Sequence, residues 1–214
     1  MAIDATTGRT TVTHRMGRML AGVLLVLGSW LIGQGLWIPV KAFAAQWLLQ
    51  HAWSKTLKTQ QPAKPWPWAD TWPMGRLLVP QHDIDQIVLV DANGRSLAFG
   101  PGQVWHGDFP EGTQSLILSG HRDTHFSFLR DVQKGETLLL QPIQGNWIGY
   151  TVEDTAVLDS RTDKLFNHQS DNRLVLITCY PFDALVPGGP LRYVVMADQM
   201  TSEVISPLET GKAP

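Results

Sequence analysis

From Gly75 onward the sequence alternates short apolar segments with turn residues, and this pattern constrains the fold more than any other feature. Each apolar segment is predicted to be a strand: Arg76–Val79, Ile87–Val90, Ser96–Phe99, Ser115–Ser119, Thr137–Gln141, Trp147–Val157, Arg173–Thr178 and Leu191–Ala197. The breaks between them carry glycine, proline and asparagine, which favour turns. Eight short strands predict an all-β fold, either a closed barrel or a sandwich, and the pattern alone does not choose between the two. Residues His125–Val132 are expected to add one or two helical turns.

An uncharged apolar run at Met19–Val40 precedes the strands. A helix rises about 1.5 Å per residue, so this run is long enough for the roughly 30 Å of a bilayer core. Arg9, Arg15 and Arg18 lie before it, while Lys41 alone follows closely. Basic residues favour the cytoplasmic side. The sequence thus predicts a cytoplasmic N-terminus at residues 1–18, a transmembrane anchor at 19–40 and an exported domain.

Two alternatives remain for this segment. A cleavable signal peptide would also begin with basic residues, and Ala42-Phe43-Ala44 resembles its cleavage site, but the apolar run exceeds the usual length of about 7–15 residues. A buried core helix is disfavoured because the run is apolar on all sides. Both the anchor and the signal peptide place the rest of the chain outside the cytoplasm.

Residues 41–73 are predicted to join the anchor to the strands. Lys41–Lys58 keeps apolar residues at helical spacing, which predicts a continued helix or a segment along the membrane surface. Thr59–Pro73 holds four prolines and three tryptophans, so it is expected to be an extended arm whose tryptophans pack on the following domain. Residues 74–200 are assigned to the β domain and 201–214 to a C-terminal tail.

Charge and cysteine content narrow the possible functions. The formal net charge is −2 and no basic stripe follows residue 18, so nucleic-acid binding is not expected. The chain has one cysteine, Cys179, and therefore no intrachain disulfide. A lone cysteine is unusual in an exported domain, where structural cysteines normally pair. The alternative is a buried, inert thiol that behaves as a small apolar side chain.

Three residues could form a catalytic site. Cys179 ends an apolar strand and becomes a nucleophile if a neighbouring base or cation favours the thiolate. Arg192, on the next strand, could stabilise an oxyanion or hold the substrate backbone, or it could pair with Asp183 or Asp198. His121 follows another strand and is suited to proton transfer.

Residues near His121 could orient or replace it. His125 lies four residues on and could compete for its role, while Arg122, Asp123 and Thr124 could orient an imidazole. Two histidines also suggest a metal, but no carboxylate stands at a clear ligand spacing and only one cysteine is present. We expect neither a metal nor a cofactor.

Three sequence blocks resemble the signatures of the sortase family. They are Gly120-His121-Arg122-Asp123-Thr124-His125-Phe126, Leu176-Ile177-Thr178-Cys179 and Leu191-Arg192-Tyr193. Three further stretches are similar to the Gram-negative sortase subfamily: Pro67–Pro73, Ala98–Gly102 and Cys179–Phe182. The resemblance covers about Trp53 to Met200, and its specificity comes from the combination and order of the blocks.

The resemblance implies an eight-stranded β-barrel with the nucleophile on the seventh strand. It implies that Cys179 cleaves an LPXTG-type C-terminal sorting signal of an exported protein through a thioacyl intermediate. An amine acceptor in the envelope would then resolve this intermediate. His121 would be general acid and then general base, Arg192 would bind the oxyanion or the substrate, and Thr178 would support the site. Asp123 and His125 are the expected orienting residues.

The sequence departs from the sortase pattern in two places, and other functions are possible. Val175 stands where the family usually has threonine, and no acidic run resembles the calcium site of some sortases. Other exported cysteine peptidases usually place Cys before His in the chain, and L,D-transpeptidases carry a different cysteine block. The non-enzymatic alternative is a membrane-tethered β domain that binds an envelope partner.

The predicted anchor and the resemblance imply a location in the inner membrane, with one membrane span and the catalytic domain facing the periplasm.

Overall fold

The computed structural model describes residues 7–104, 115–163, 172–184, 186 and 188–200. The chain forms two compact units, Met1–Ala44 and Ala45–Pro214. Helix α1, Thr7–Thr59, begins in the first unit and ends in the second. Among the described residues, no helix combines the length and the apolar character needed to cross a membrane. The anchor predicted at residues 19–40 therefore gains no support from the structure.

Among the described residues of the second unit, eight strands close into a barrel. They are β1 Pro73–Val79, β2 Ile84–Leu89, β3 Gly102–Gln103, β4 Leu116–Ser119, β5 Thr137–Pro142, β6 Ile148–Asp159, β7 Arg173–Cys179 and β8 Leu191–Gln199. Their order around the barrel is β1-β2-β3-β4-β7-β8-β6-β5, with β5 pairing back to β1. The pairs β2–β3 and β4–β7 are parallel, and the other pairs are antiparallel. The structure therefore decides for a barrel over a sandwich.

The third predicted strand is wrong. Ser96–Ala98 is a single 3-10 turn, and β3 lies instead at Gly102–Gln103, after the segment predicted as a strand. Asn93 explains the difference, because its side-chain oxygen accepts hydrogen bonds from the backbone N–H groups of Arg95 and Ser96, both at 2.9 Å. Such local bonds compete with strand pairing. The helical turn expected in His125–Val132 is present as one 3-10 turn, Ser127–Arg130.

The two faces of the barrel wall carry separate apolar clusters. Leu118, Leu176 and Val195 belong to the large cluster that fills the interior. Ile117, Val175 and Val194 form a second buried cluster on the outer face of β4, β7 and β8. Alternation along a strand separates the two sets. A fully buried leucine or valine contributes roughly 1.5–3 kcal/mol to folding, so β4 and β7 are held on both faces.

The end of helix α1 and the following arm also pack within the second unit. Leu49 and Trp53 are buried against Ile87 and Leu89 of β2. In the arm, the Trp66 ring meets the Phe99 ring edge to face, with centroids 5.1 Å apart. Trp68, by contrast, is 83% exposed. The arm thus packs on the barrel as predicted for Trp66 but not for Trp68.

Candidate active site

Cys179 and Arg192 lie directly opposite each other. Cys179 is the last residue of β7, and the antiparallel register pairs it with Arg192 of β8. Directly paired residues project from the same face of a sheet, with Cβ atoms about 4.5–5.5 Å apart. Val175 of β7 and Val194 of β8 belong to the outer cluster, so alternation places Cys179 and Arg192 on the outer face too. The thiol is free and partly exposed.

His121 reaches the same end of the barrel from β4. This strand runs parallel to β7, with Ser119 level with Ile177. The pairing continues one residue further, because the Gly120 N–H donates to the Ile177 carbonyl at 3.2 Å. The exposed His121 therefore follows β4 where Cys179 ends β7. The structure brings His121, Cys179 and Arg192 to one rim.

Gly120 allows close packing beneath this rim. A Cβ atom at this position would lie 2.7 Å from the Phe126 ring, which is completely buried in the core. Any larger residue would push Phe126 or the His121 segment out of place. Glycine is thus required here for close approach.

Thr178 supports the rim from inside. Its side chain is buried, and its hydroxyl donates to the Gly120 carbonyl at 2.7 Å. The bond joins the residue before Cys179 to the residue before His121. The supporting role of Thr178 in catalysis stays a prediction.

We predict that Thr178→Val destabilises the protein by about 1–3 kcal/mol, because it leaves the buried Gly120 carbonyl without this donor. Urea unfolding would measure the change. Thr178→Ser keeps the hydroxyl and should recover most of the loss. Equal stability of Thr178→Val and wild type would show that this bond contributes nothing.

Arg192 is held at the rim by backbone groups. One terminal nitrogen donates to the carbonyls of Gly189 and Leu191, at 2.6 and 2.8 Å. The suggested ion pair with Asp198 is absent, since Asp198 pairs with Arg173 at 2.5 Å. Among the described residues, no ion pair joins Arg192 to Asp183 either. Its remaining donors are thus not committed to a described carboxylate.

The positive charge of Arg192 acts on the carboxylate of Asp159. The pKa of Asp159 is lowered to about 2, mainly by hydrogen bonds from Arg161, and the charge of Arg192 makes the smallest contribution to this shift. Arg161 binds both carboxylate oxygens, at 3.0 and 2.7 Å. Asp159 is therefore ionised at neutral pH and directly paired with Arg161 rather than with Arg192.

The two predicted orienting residues differ in their surroundings. His125 is half-buried; burial lowers its pKa, a backbone hydrogen bond at Ala98 raises it, and the nearby charge of His121 lowers it. Asp123 is exposed, and no hydrogen bond or ion pair joins its side chain to another described residue. The structure thus places His125 near His121, and it shows no contact through which Asp123 would orient an imidazole.

Acid should destabilise the protein through His125. Its pKa lies below the ordinary value of 6.5 in the folded state, mainly because of burial, so the unfolded chain binds its proton more readily. The stability is complete above pH 6.5 and falls as the pH drops below it. Melting temperatures at pH 7.5 and 5.5 should therefore differ more for wild type than for His125→Gln. An exposed-histidine control, His51→Gln, should keep the wild-type difference; a wild-type difference in His125→Gln would contradict the prediction.

Sequence reasoning missed the aromatic contacts beside the site. Tyr180 stacks on Tyr193 with centroids 6.2 Å apart, and Phe182 meets Tyr193 edge to face at 5.2 Å. Tyr180 and Phe182 follow Cys179 in the chain, and Tyr193 follows Arg192. The presence of aromatic residues next to the candidate catalytic residues is therefore evident from the sequence. Their convergence depends on the β7–β8 pairing, which composition does not show.

Comparison with known proteins assigns the family. Residues 77–200 match the sortase domain model. The chain belongs to the sortase family. A curated relative, sortase D of Bacillus subtilis (strain 168), is 28% identical over 128 residues, which are 59% of this chain and 64% of that protein. The match thus spans less than two thirds of the relative's length.

The fold of this chain is similar to those of sortases whose structures have been solved. Sortase A from Corynebacterium diphtheriae is 21% identical with a TM-score of 0.55, over 66% of each chain. Sortase A from Listeria monocytogenes is 24% identical with a TM-score of 0.52, over 64% of this chain and 92% of that one. The Clostridium perfringens sortase D5 transpeptidase is 15% identical with a TM-score of 0.53, over 73% and 96%. The expected eight-stranded sortase barrel is confirmed.

Proposed function

We propose that this sortase cleaves an LPXTG-type sorting signal near the C-terminus of an exported protein and transfers that protein to an amine. The observation that supports this most directly is the pairing of Cys179 with Arg192, beside the strand that leads to His121. A nucleophile, a proton carrier and a fixed cation at one rim are the groups that acyl transfer requires. Membership of the sortase family supports the choice of a sorting signal as the substrate.

In the first half-reaction, the Cys179 thiolate attacks the carbonyl carbon of the threonine-like residue of the signal. The oxyanion of the tetrahedral intermediate, or the adjacent substrate backbone, accepts hydrogen bonds from Arg192. As the intermediate collapses, the C–N bond breaks and His121 donates a proton to the leaving amine. A thioester then joins Cys179 to the shortened protein.

In the second half-reaction, an amine attacks the thioester carbonyl. His121 removes a proton from that amine, the C–S bond breaks, and the Cys179 thiolate is regenerated while an amide bond forms. No net oxidation occurs, and the cycle needs no metal or cofactor. Among the described residues, no cluster of three or more histidines, cysteines or carboxylates is placed to hold a metal.

The outer apolar cluster is a suitable surface for the signal. Val104, Ile177 and Met196 are partly buried on the face from which Cys179 projects. A short extended peptide along this face would bury apolar side chains and reach the thiol at the end of β7. We propose this surface as the binding face for the signal's apolar residues.

The location and subfamily are proposed on sequence grounds alone. The arginines before residue 19 and the apolar run at 19–40 support an inner-membrane anchor with the barrel outside the cytoplasm. The stretches at Pro67–Pro73 and Cys179–Phe182 support the Gram-negative subfamily. The target protein and the amine acceptor would then be envelope components.

Mass spectrometry of the full chain with an LPXTG-type peptide and a small amine tests the reaction. Without the amine, we expect a thioacyl adduct on Cys179 equal in mass to the peptide up to its threonine. With the amine, we expect a ligated peptide and less adduct. The same peptide with its residues scrambled should give neither product.

Two results would overturn the proposal. One is the absence of adduct and ligated peptide across a panel of signal variants while Cys179 stays unreactive to iodoacetamide in the folded protein; this favours a binding domain. The other is cleavage without any amine-ligated product, which favours a cysteine peptidase.

A further inference from the structure

The segments that carry His121 and Cys179 are joined on both sides of these residues. On one side, Thr178 donates to the Gly120 carbonyl and Gly120 donates to the Ile177 carbonyl. On the other side, the Arg122 guanidinium donates to the carbonyls of Pro181 and Ala184, at 2.9 and 2.6 Å. Residues next to His121 therefore bond to residues before and after Cys179.

The two carbonyls bound by Arg122 belong to one turn. The Ala184 N–H donates to the Pro181 carbonyl at 3.4 Å, so this turn has a weak bond of its own. Arg122 supplies two shorter, charge-assisted bonds to the same turn, and such bonds are stronger than neutral ones. The turn begins two residues after Cys179 and leads towards Gly189, whose carbonyl holds Arg192.

A second arginine from the same segment contacts this turn. The Arg130 guanidinium lies 5.1 Å from the centre of the Phe182 ring. Phe182 in turn packs against Tyr180 and Tyr193. The contact is weaker than two charged hydrogen bonds. Arg122 is thus the main polar link between the His121 segment and the turn after Cys179.

We infer that Arg122 is a positioning residue, which sets the placement of His121 relative to Cys179 by binding the Pro181–Ala184 turn. Because its role is in the transfer reaction, the inference rests on the proposed function. The sequence suggested instead that Arg122 orients an imidazole. Its guanidinium binds backbone carbonyls, so it acts on the loop rather than directly on a ring.

Arginine suits this role better than lysine. Its two terminal nitrogens reach two separate carbonyls from one planar group, whereas an ammonium is a compact charge on a flexible chain. Arg122→Lys should therefore preserve the positive charge but only some of the hydrogen bonding to the two carbonyls. Arg122→Met removes every donor while retaining a long apolar stem.

The test compares Arg122→Met and Arg122→Lys in the full chain with a matched control, Arg95→Met. Arg95 is an exposed arginine whose ion pair with Asp70 spans 3.6 Å. In Arg122→Met, we expect about a tenfold lower kcat for thioacyl formation, with KM changed less than about threefold. Arg122→Lys should lie between this variant and wild type, and Arg95→Met should match wild type.

Two readouts need no peptide substrate. Hydrogen exchange of the peptide that contains Phe182–Ala184 should be about tenfold faster in Arg122→Met. The rate of Cys179 alkylation by iodoacetamide at pH 7 should fall about threefold, because His121 and the turn after Cys179 are no longer held in place by Arg122. These measurements remain informative if no sorting peptide is accepted, so they separate this inference from the proposed function.

Wild-type hydrogen exchange and alkylation in Arg122→Met would overturn the inference. Equal kcat in Arg122→Lys and Arg122→Met, together with wild-type exchange, would overturn it as well. If Arg122→Met does not fold, Arg122→Lys provides the test. A wild-type alkylation rate at pH 7 and wild-type hydrogen exchange in Arg122→Lys would contradict the inference.

Discussion

Cys179→Ala is expected to lower the rate of peptide ligation by roughly 10⁴-fold or more, because no other described side chain at the rim can form the thioacyl bond. Cys179 is the one cysteine in the chain, so no second thiol can replace it. Its side chain is partly exposed at the end of β7, and removing one sulfur there should leave the barrel intact. Ligated peptide is measured by mass spectrometry against time.

As a control, the melting temperature and the peptide affinity of the variant are compared with those of wild type. Cys179→Ala should melt within a few degrees of wild type and bind the sorting peptide with a similar Kd. Cys179→Ser keeps a weaker nucleophile and should also lose nearly all ligation. Substantial ligation by Cys179→Ala would exclude a covalent mechanism through this residue.

His121→Ala should lower kcat by about 10²–10⁴-fold, the range expected when a general acid and base is lost. Both half-reactions need a proton transfer at nitrogen, so thioacyl formation and its resolution by the amine should both slow. Rapid-quench measurement of each half-reaction would show this. His51→Gln changes an exposed histidine of helix α1 and should leave both rates unchanged. A loss below tenfold in His121→Ala would assign the proton transfers to another group.

The pH profile provides a further check on His121. If the active form contains a Cys179 thiolate and a protonated His121 together, kcat/KM rises and then falls with pH. Removing His121 should abolish the falling limb. A wild-type rate that climbs to a plateau with increasing pH would contradict this pairing of protonation states.

Most strands were predictable because their signals are local. Alternating or continuous apolar segments between turns located seven of the eight strands, including Arg173–Cys179 and Leu191–Gln199. The exception was the two-residue β3. A pairing this short has no periodicity of its own, and the Asn93 side chain directs the preceding segment into a 3-10 turn. Strand pairing with a distant partner, rather than local preference, creates β3.

The candidate catalytic residues were also visible in the sequence, but their contacts were not. The order of His121, Cys179 and Arg192 within recognisable blocks was sufficient to nominate them. The sequence suggests that Arg122 orients an imidazole, because it shows only which residues are adjacent in the chain. Its actual acceptors, Pro181 and Ala184, are about 60 positions away and become adjacent only when the barrel closes.

By itself, the sequence determined the β class of the domain, the single available thiol and the family blocks, since these depend on residue type and short spacing. The tertiary structure decided that the strands close into a barrel and that β4 runs parallel to β7. It also decided that Cys179 faces Arg192 and that Thr178 reaches Gly120, 58 residues away in sequence. These contacts arise from long-range strand register, which is set by burying both faces of the barrel wall at once rather than by any local pattern.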